Sequence, residues 1–333
     1  MQPTIFMLAL LTVTLGFGLP GPLGERLASV AIAQVSPAQT PAQAQKASQE
    51  QAGVKITPKP GAIALYNRDD WVYYLAPPGK QPRKLVQGRQ PALSPDGKKI
   101  AYLKVRKGLG GGEGLMVLDL TTGQTVTLLP LLPERIDGPS WSPQGDLLAF
   151  IYNLKEINLI KADGSGRQKI FSMSHISDQP PHWASDGKSL FVHDFRDLFQ
   201  IDLAGQELAK TSLVTITGRE NAVGDGNWFL SHPQDPQLWA FTMAVEGTKK
   251  FNKIVTGPNF ALFLYDTRTR KRTRLTPPDM LATSHSWSRD GQYLYFSGYR
   301  EPHYQARDPF RIYRLNLDGT GLTELGKGEN PSQ

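Results

Sequence analysis

The chain has 333 residues, with 37 Lys and Arg against 30 Asp and Glu, a formal net charge of +7 and no cysteine. The absence of thiols excludes disulfide scaffolds, cysteine nucleophiles and thiolate metal sites, so the fold must be held by packing alone. The basic balance favours anionic surroundings without specifying one.

Ile5 to Leu19 is an apolar run, and Ala31-Ile32-Ala33 supplies the small-x-small pattern of a signal-peptidase site. Residues 1–33 therefore read as a signal peptide, because the run is too short for the roughly 20 residues of a spanning helix. Residues 34–58 are rich in Gln, Ala and Pro and lack any apolar period, which predicts a disordered leader. Residues 59–328 then read as one domain.

That domain opens with three short strand-like runs, Ile63-Ala64-Leu65-Tyr66, Trp71 to Leu75 and Arg83 to Val86. They correspond to the second, third and fourth strands of a repeat that lacks its first. Glu329 to Ser332, at the other end, stops where a further first strand would begin, which predicts closure between the termini.

Between these ends one phrase recurs. It reads Leu93-Ser94-Pro95-Asp96-Gly97, Trp141-Ser142-Pro143-Gln144-Gly145, Trp183-Ala184-Ser185-Asp186-Gly187 and Trp287-Ser288-Arg289-Asp290-Gly291, with a weaker copy through Ser231, Pro233, Asp235 and Pro236. Positions 97, 145, 187, 236 and 291 are separated by 48, 42, 49 and 55 residues, near the spacing of four-stranded propeller blades. Asp caps a reversal and Gly accepts positive φ, so each phrase is a hairpin hinge between two strands. A second phrase, as in Leu115 to Gly123 and Ile312 to Gly319, adds two more strands per repeat. The prediction is an all-β, six-bladed β-propeller of four-stranded antiparallel blades.

The phrase Trp141-Ser142-Pro143-Gln144-Gly145 followed by Leu148-Ala149-Phe150 resembles the repeats of the TolB β-propeller family. That family carries an α/β domain before its propeller, whose place is taken here by the Gln/Ala/Pro-rich leader. Similar blades occur in prolyl-oligopeptidase-like enzymes and in pectin-fragment lyases. The TolB resemblance implies a non-catalytic, exported module of the periplasm or extracellular space, active in envelope assembly or transport. Its implied partner is an envelope protein or lipoprotein, with no cofactor.

The residue chemistry supports no peptidase. Ser142 and Ser288 sit beside reversals, with no Gly-x-Ser-x-Gly elbow between strand and helix. Asp96, Asp186 and Asp290 occupy matching turn positions, and the glycines from Gly108 to Gly114 run into a strand rather than a phosphate-binding helix. Candidate binding residues are His175, Asp178, His182 and His285 before the repeated phrases, with Arg300 after the last. An alternative is a metal-dependent lyase or binding protein for acidic polysaccharide, which requires His175, His182, His232 or His285 to converge. A carbohydrate-binding module instead requires exposed platforms such as Trp71, Tyr299 or Tyr304 at one opening.

Arg268, Arg270, Lys271, Arg272 and Arg274 form a basic patch on a turn and outer strand. It reads as a charged edge that resists aggregation, with an anionic glycan contact as the alternative. The export segment argues against nucleic acid, and no transmembrane segment follows signal cleavage. A monomer is expected.

Overall fold

A computed structural model describes residues 54–333 except 68, 77–80, 107–110, 221, 225–226, 247–258, 301–302, 304–305 and 307. The signal peptide, all but the end of the leader, part of the glycine run and Tyr304 lie outside the described residues.

The turn phrases fold the chain into six four-stranded antiparallel sheets. Blade 2 contains β4 (Arg89–Leu93), β5 (Lys99–Arg106), β6 (Gly112–Asp119) and β7 (Thr125–Leu132). Blade 3 contains β8 (Ile136–Trp141), β9 (Leu147–Tyr152), β10 (Glu156–Lys161) and β11 (Gln168–Ser172). Blade 4 follows as β12 (His182–Trp183), β13 (Ser189–His193), β14 (Asp197–Asp202) and β15 (Glu207–Ser212). The short helix α1 (Leu213–Thr217) then leads to blade 5, made of β16 (Phe229–Ser231), β17 (Leu238–Ala244), β18 (Phe260–Asp266) and β19 (Lys271–Arg274). Blade 6 is β20 (Leu281–Trp287), β21 (Tyr293–Tyr299), β22 (Arg311–Asn316) and β23 (Thr323–Lys327).

Blade 1 joins the two ends of the domain. Its β1 (Ile63–Asn67), β2 (Trp71–Leu75) and β3 (Arg83–Gln87) come from the start, and its inner strand is β24 (Glu329–Ser332). The closing strand β24 thus lies just beyond residue 328. Ile56, assigned to the leader by composition, is also part of the body. Its N–H donates to Leu120 O at 2.6 Å and its side chain is buried beside Ala62, Val72 and Leu93.

Three of the hinges, those at Ser94, Ser142 and Ser288, share one hydrogen-bond circuit. Ser94 Oγ donates to Asp96 Oδ1 at 2.6 Å and accepts the Lys99 N–H at 2.8 Å, while Gly97, at φ +72°, donates back to Ser94 O. Ser288, Asp290 and Tyr293 repeat this geometry. In the second hinge Gln144 stands at the Asp position and Asp146 takes over, accepting from Ser142 Oγ at 2.8 Å. The freed Gln144 side chain donates to Asp186 O on blade 4. In blade 5 an imidazole stands at the serine position and caps the turn differently: His232 Nδ1 accepts the N–H groups of Gln234 and Asp235 at 3.1 and 3.0 Å.

A second circuit joins neighbouring blades. The indole N–H groups of Trp141, Trp183 and Trp287 donate to Ala92 O, Ser140 O and Leu230 O at 2.9, 3.2 and 3.1 Å. In every case the acceptor stands two residues before the hinge of the preceding blade. Between blades 4 and 5 the same register is bridged by His182, whose Nε2 accepts the Ser231 N–H at 2.9 Å. At the closure between blades 1 and 2, Leu93 N–H donates to Ser332 Oγ at 3.0 Å.

Replacing Ser332 with alanine leaves the Leu93 amide without this acceptor and is expected to cost about 1–2 kcal/mol in urea denaturation. Truncation after Gly328 should cost more and open the β1 edge, giving concentration-dependent association by light scattering. Unchanged stability in both variants would contradict this account of closure.

Candidate functional site

The six inner strands surround an axial cavity of about 730 Å³. Proline sets the character of its wall. Pro91, Pro139 and Pro181 each stand three residues before a hinge, Pro331 occupies the same place in β24, and all four are buried and line the cavity. In three blades the preceding residue, Gln90, Gly138 or Asn330, has positive φ of 49°, 56° or 49°. The ladder skips register there, so the X-Pro pair forms a β-bulge in which the missing proline N–H costs no strand pairing. Gly138 is required for a further reason: a Cβ on it would stand 2.4 Å from Pro180 Cα.

Blades 5 and 6 break the proline ring. Phe229 and His285 stand at the proline register, preceded by Trp228 and Ser284. One wall of the cavity is therefore rigid pyrrolidine, and the other is an aromatic and imidazole corner.

The structure brings together three of the five candidate binding residues. Asp178, His182 and His285 line the cavity. Asp178 lies on the connection into blade 4, where Arg135 Nη2 reaches it at 3.4 Å while also forming a two-point pair with the nearly inaccessible Asp137 at 2.5 and 3.1 Å. His182 is the bridge between blades 4 and 5. His175 is outside the lining, exposed and stacked 5.4 Å from Phe195, and Arg300 is also outside it. Sequence reasoning missed Trp228, Ser286 and the prolines; aligning the inner strands back from each hinge would have exposed the proline register.

The histidines do not converge on a metal site. Among the described residues no group of three His, Asp or Glu side chains is placed to hold an ion. His232 is committed to its hinge and meets Gly291 O at 3.1 Å, and His193 Nε2 lies 3.3 Å from Asn227 O. Neither Trp71 nor Tyr299 lines the cavity: Lys84 covers the Trp71 ring at 4.0 Å and Phe310 packs edge-on to Tyr299.

His182 Nε2 and Ser231 Oγ are 2.7 Å apart, the separation of a nucleophile and its base. The electrostatics oppose that use. Burial pushes the His182 pKa down to about 4, and its Nε2 already accepts the Ser231 backbone N–H. A base so weak takes little of a serine proton near neutrality.

The basic patch is largely consumed by the fold. Arg268 pairs with Asp235 and Asp266 at 3.0 and 3.1 Å. Arg272 reaches the carbonyls of Thr215 and Ile216 at the end of α1 and lies over the Tyr265 ring, and Arg274 donates to Thr276 O and Pro277 O. Arg270 and Lys271 remain exposed at the turn.

No protein-family profile matches the chain, and no curated protein sequence matches it. Solved structures do. TolB from Acinetobacter baumannii superposes with TM-score 0.58 at 20% identity, over 82% of this chain and 66% of that one. A putative TolB from Agrobacterium tumefaciens gives 0.52 at 17% identity, over 84% and 92%. The fold is a TolB-like β-propeller. The chain spans just under two thirds of the length of the Acinetobacter protein. A chain of a nidogen/laminin complex also matches, with TM-score 0.54 and 12% identity over 82% of this chain and 97% of that one, so the architecture extends beyond TolB. No helix among the described residues is long and apolar enough to cross a membrane.

The buried imidazoles give the TolB-like propeller a predictable acid response. Burial lowers His182 and His193 to about 4 and His285 to about 3, whereas unfolded histidine titrates near 6.5. Between these values the unfolded chain binds more protons, so this stability is complete above about pH 6.5 and is lost as pH falls toward 4. Thermal melts are expected to decline through that window, with a summed loss of up to several kcal/mol. A flat melting temperature between pH 7 and pH 5 would show that these imidazoles are not held neutral by the fold.

Proposed function

We propose that this propeller is a non-catalytic docking module of the cell envelope, exported to the periplasm or the extracellular space, that receives a polypeptide segment of an envelope protein or lipoprotein in its axial cavity. One observation carries the reading: the cavity is built by all six blades, its volume falls within the roughly 300–1,000 Å³ of ligand pockets, and its wall is mainly proline, tryptophan and small hydroxyl residues. Such a wall has fixed shape and little side-chain entropy to lose, which favours recognition over chemistry. The TolB proteins among the structural neighbours support a propeller used for protein contacts, and the signal-like segment at 1–33 supports export. The surface charge of the patch from Arg268 to Arg274 contributes little to this role, because most of its guanidinium groups serve the fold.

The test uses the intact protein in envelope extracts, with crosslinking and mass spectrometry. Leu230 lines the cavity and its backbone carbonyl, which accepts from Trp287, does not depend on the side chain, so Leu230→Trp puts a bulkier ring at the cavity wall, with a thermal melt of the variant checking that the blade is kept. A single envelope protein is expected to crosslink to cavity-lining positions in the natural chain and to fall at least about tenfold in the variant, the loss of roughly 1.4 kcal/mol of binding. Equal recovery from both would defeat docking in the cavity. N-terminal sequencing of fractionated cells checks export: a start at Gln34 in the periplasm or medium is expected, and retention in the cytoplasm with residues 1–33 attached would refute it.

A further inference from the structure

The bridges between blades leave one seam incomplete. The residue two positions before the hinge is tied to the next blade at Ser332, Ala92, Ser140, His182 and Leu230. Its counterpart in blade 6 is Ser286, and Ser286 Oγ is buried with no hydrogen-bond partner. The neighbouring His285 has no accessible surface, and neither ring nitrogen has a partner. The Ala240 backbone lies close enough to influence its charge but outside hydrogen-bonding geometry. Both side chains are in the cavity wall, with the Trp228 indole centred 6.2 Å from the imidazole.

Three unmet polar atoms on two consecutive residues are costly. A buried donor or acceptor that has left water without gaining a partner is destabilising, and the other blades show that this register accepts Pro or Phe without such a loss. Resting on the docking reading above, we infer that His285 and Ser286 form the recognition point of the cavity for an uncharged peptide group, a backbone amide or a side-chain carboxamide, of the docked segment. A neutral imidazole offers one donor and one acceptor, which matches an amide. Burial keeps His285 neutral at ordinary pH. An anion would find no cation here, since Arg289 in the same wall is drawn to Ser94 O at 2.6 Å, and a metal ion would lack further ligands. The proline side of the ring adds shape without competing N–H donors. Because His285 has no accessible surface, the incoming group reaches it only when a neighbouring side chain of the cavity wall moves aside.

The experiment uses displayed libraries of capped dodecapeptides selected on the intact protein, with binding of the selected peptides measured on His285→Leu, His285→Gln and Leu230→Trp. Expected are peptides lost on Leu230→Trp, weakened about tenfold on His285→Leu and partly restored on His285→Gln, the size of one buried hydrogen bond. The melting temperature of His285→Leu should equal or exceed that of the natural chain, because an unmet polar group has been removed. A lower melting temperature for His285→Leu would overturn the inference by making the imidazole structural. Selected peptides lost on Leu230→Trp but indifferent to both His285 variants would overturn it while leaving cavity docking intact. Failure to obtain any peptide sensitive to Leu230→Trp would defeat the docking reading, and the inference with it.

Discussion

The ring depends on a hydrogen bond carried across five of its six seams, two residues before one hinge and one before the following. Sheets in a propeller share no backbone ladder with their neighbours, so face packing alone would let blades slide or splay. An indole N–H aimed at a neighbouring carbonyl fixes their relative register, and the tryptophan ring is buried between blades as it does so. Where tryptophan is replaced, a different side chain makes the tie, Ser332 at the closing seam and His182 between blades 4 and 5. The repeat therefore preserves a geometry more faithfully than it preserves a residue type.

This substitution logic explains the distribution of the polar side chains. Serine, aspartate and histidine invite a catalytic reading because they are the residues of acyl transfer, yet in this protein many of them hold backbone N–H groups in reversals. The Ser288 hydroxyl and Gln292 amide hold the Asp290 carboxyl below its usual range, which keeps it a charged acceptor. His232 holds the two backbone N–H groups that follow it in its hinge, and Arg272 closes the carbonyl end of α1. Side chains used in this way are unavailable for chemistry, and setting them aside isolates the few that have no structural role.

Much of the fold is legible in the sequence because hinges obey local rules. Asp-Gly and Ser-Pro pairs announce reversals through φ preference and side-chain capping, and both are visible one residue at a time. The orphan strands near Ile63 and the spare segment at Glu329 likewise announce a shared blade. Compensations are not legible: Asp146 relieves Gln144 from two residues away, and nothing in the local phrase shows that the carboxylate can turn back to Ser142. The site is harder still. Asp178, His182 and His285 stand out together in the sequence, but His182 and His285 differ in that one meets Ser231 across a blade boundary and the other meets nothing, a distinction fixed by neighbours 49 and 45 residues or more away in the chain.

The inner strands are the outermost members of their sheets, each presenting one unpaired edge to the axis. Such an edge ordinarily invites another strand to add to it. Proline at matching height in four of the six blades, with bulges in three of them, deprives the axial edges of donors and of a straight line on which to zip. A chain entering the cavity would find no straight ladder to extend at that height. The same arrangement opposes addition of a foreign strand at that height, so one placement of a single residue type protects four axial edges.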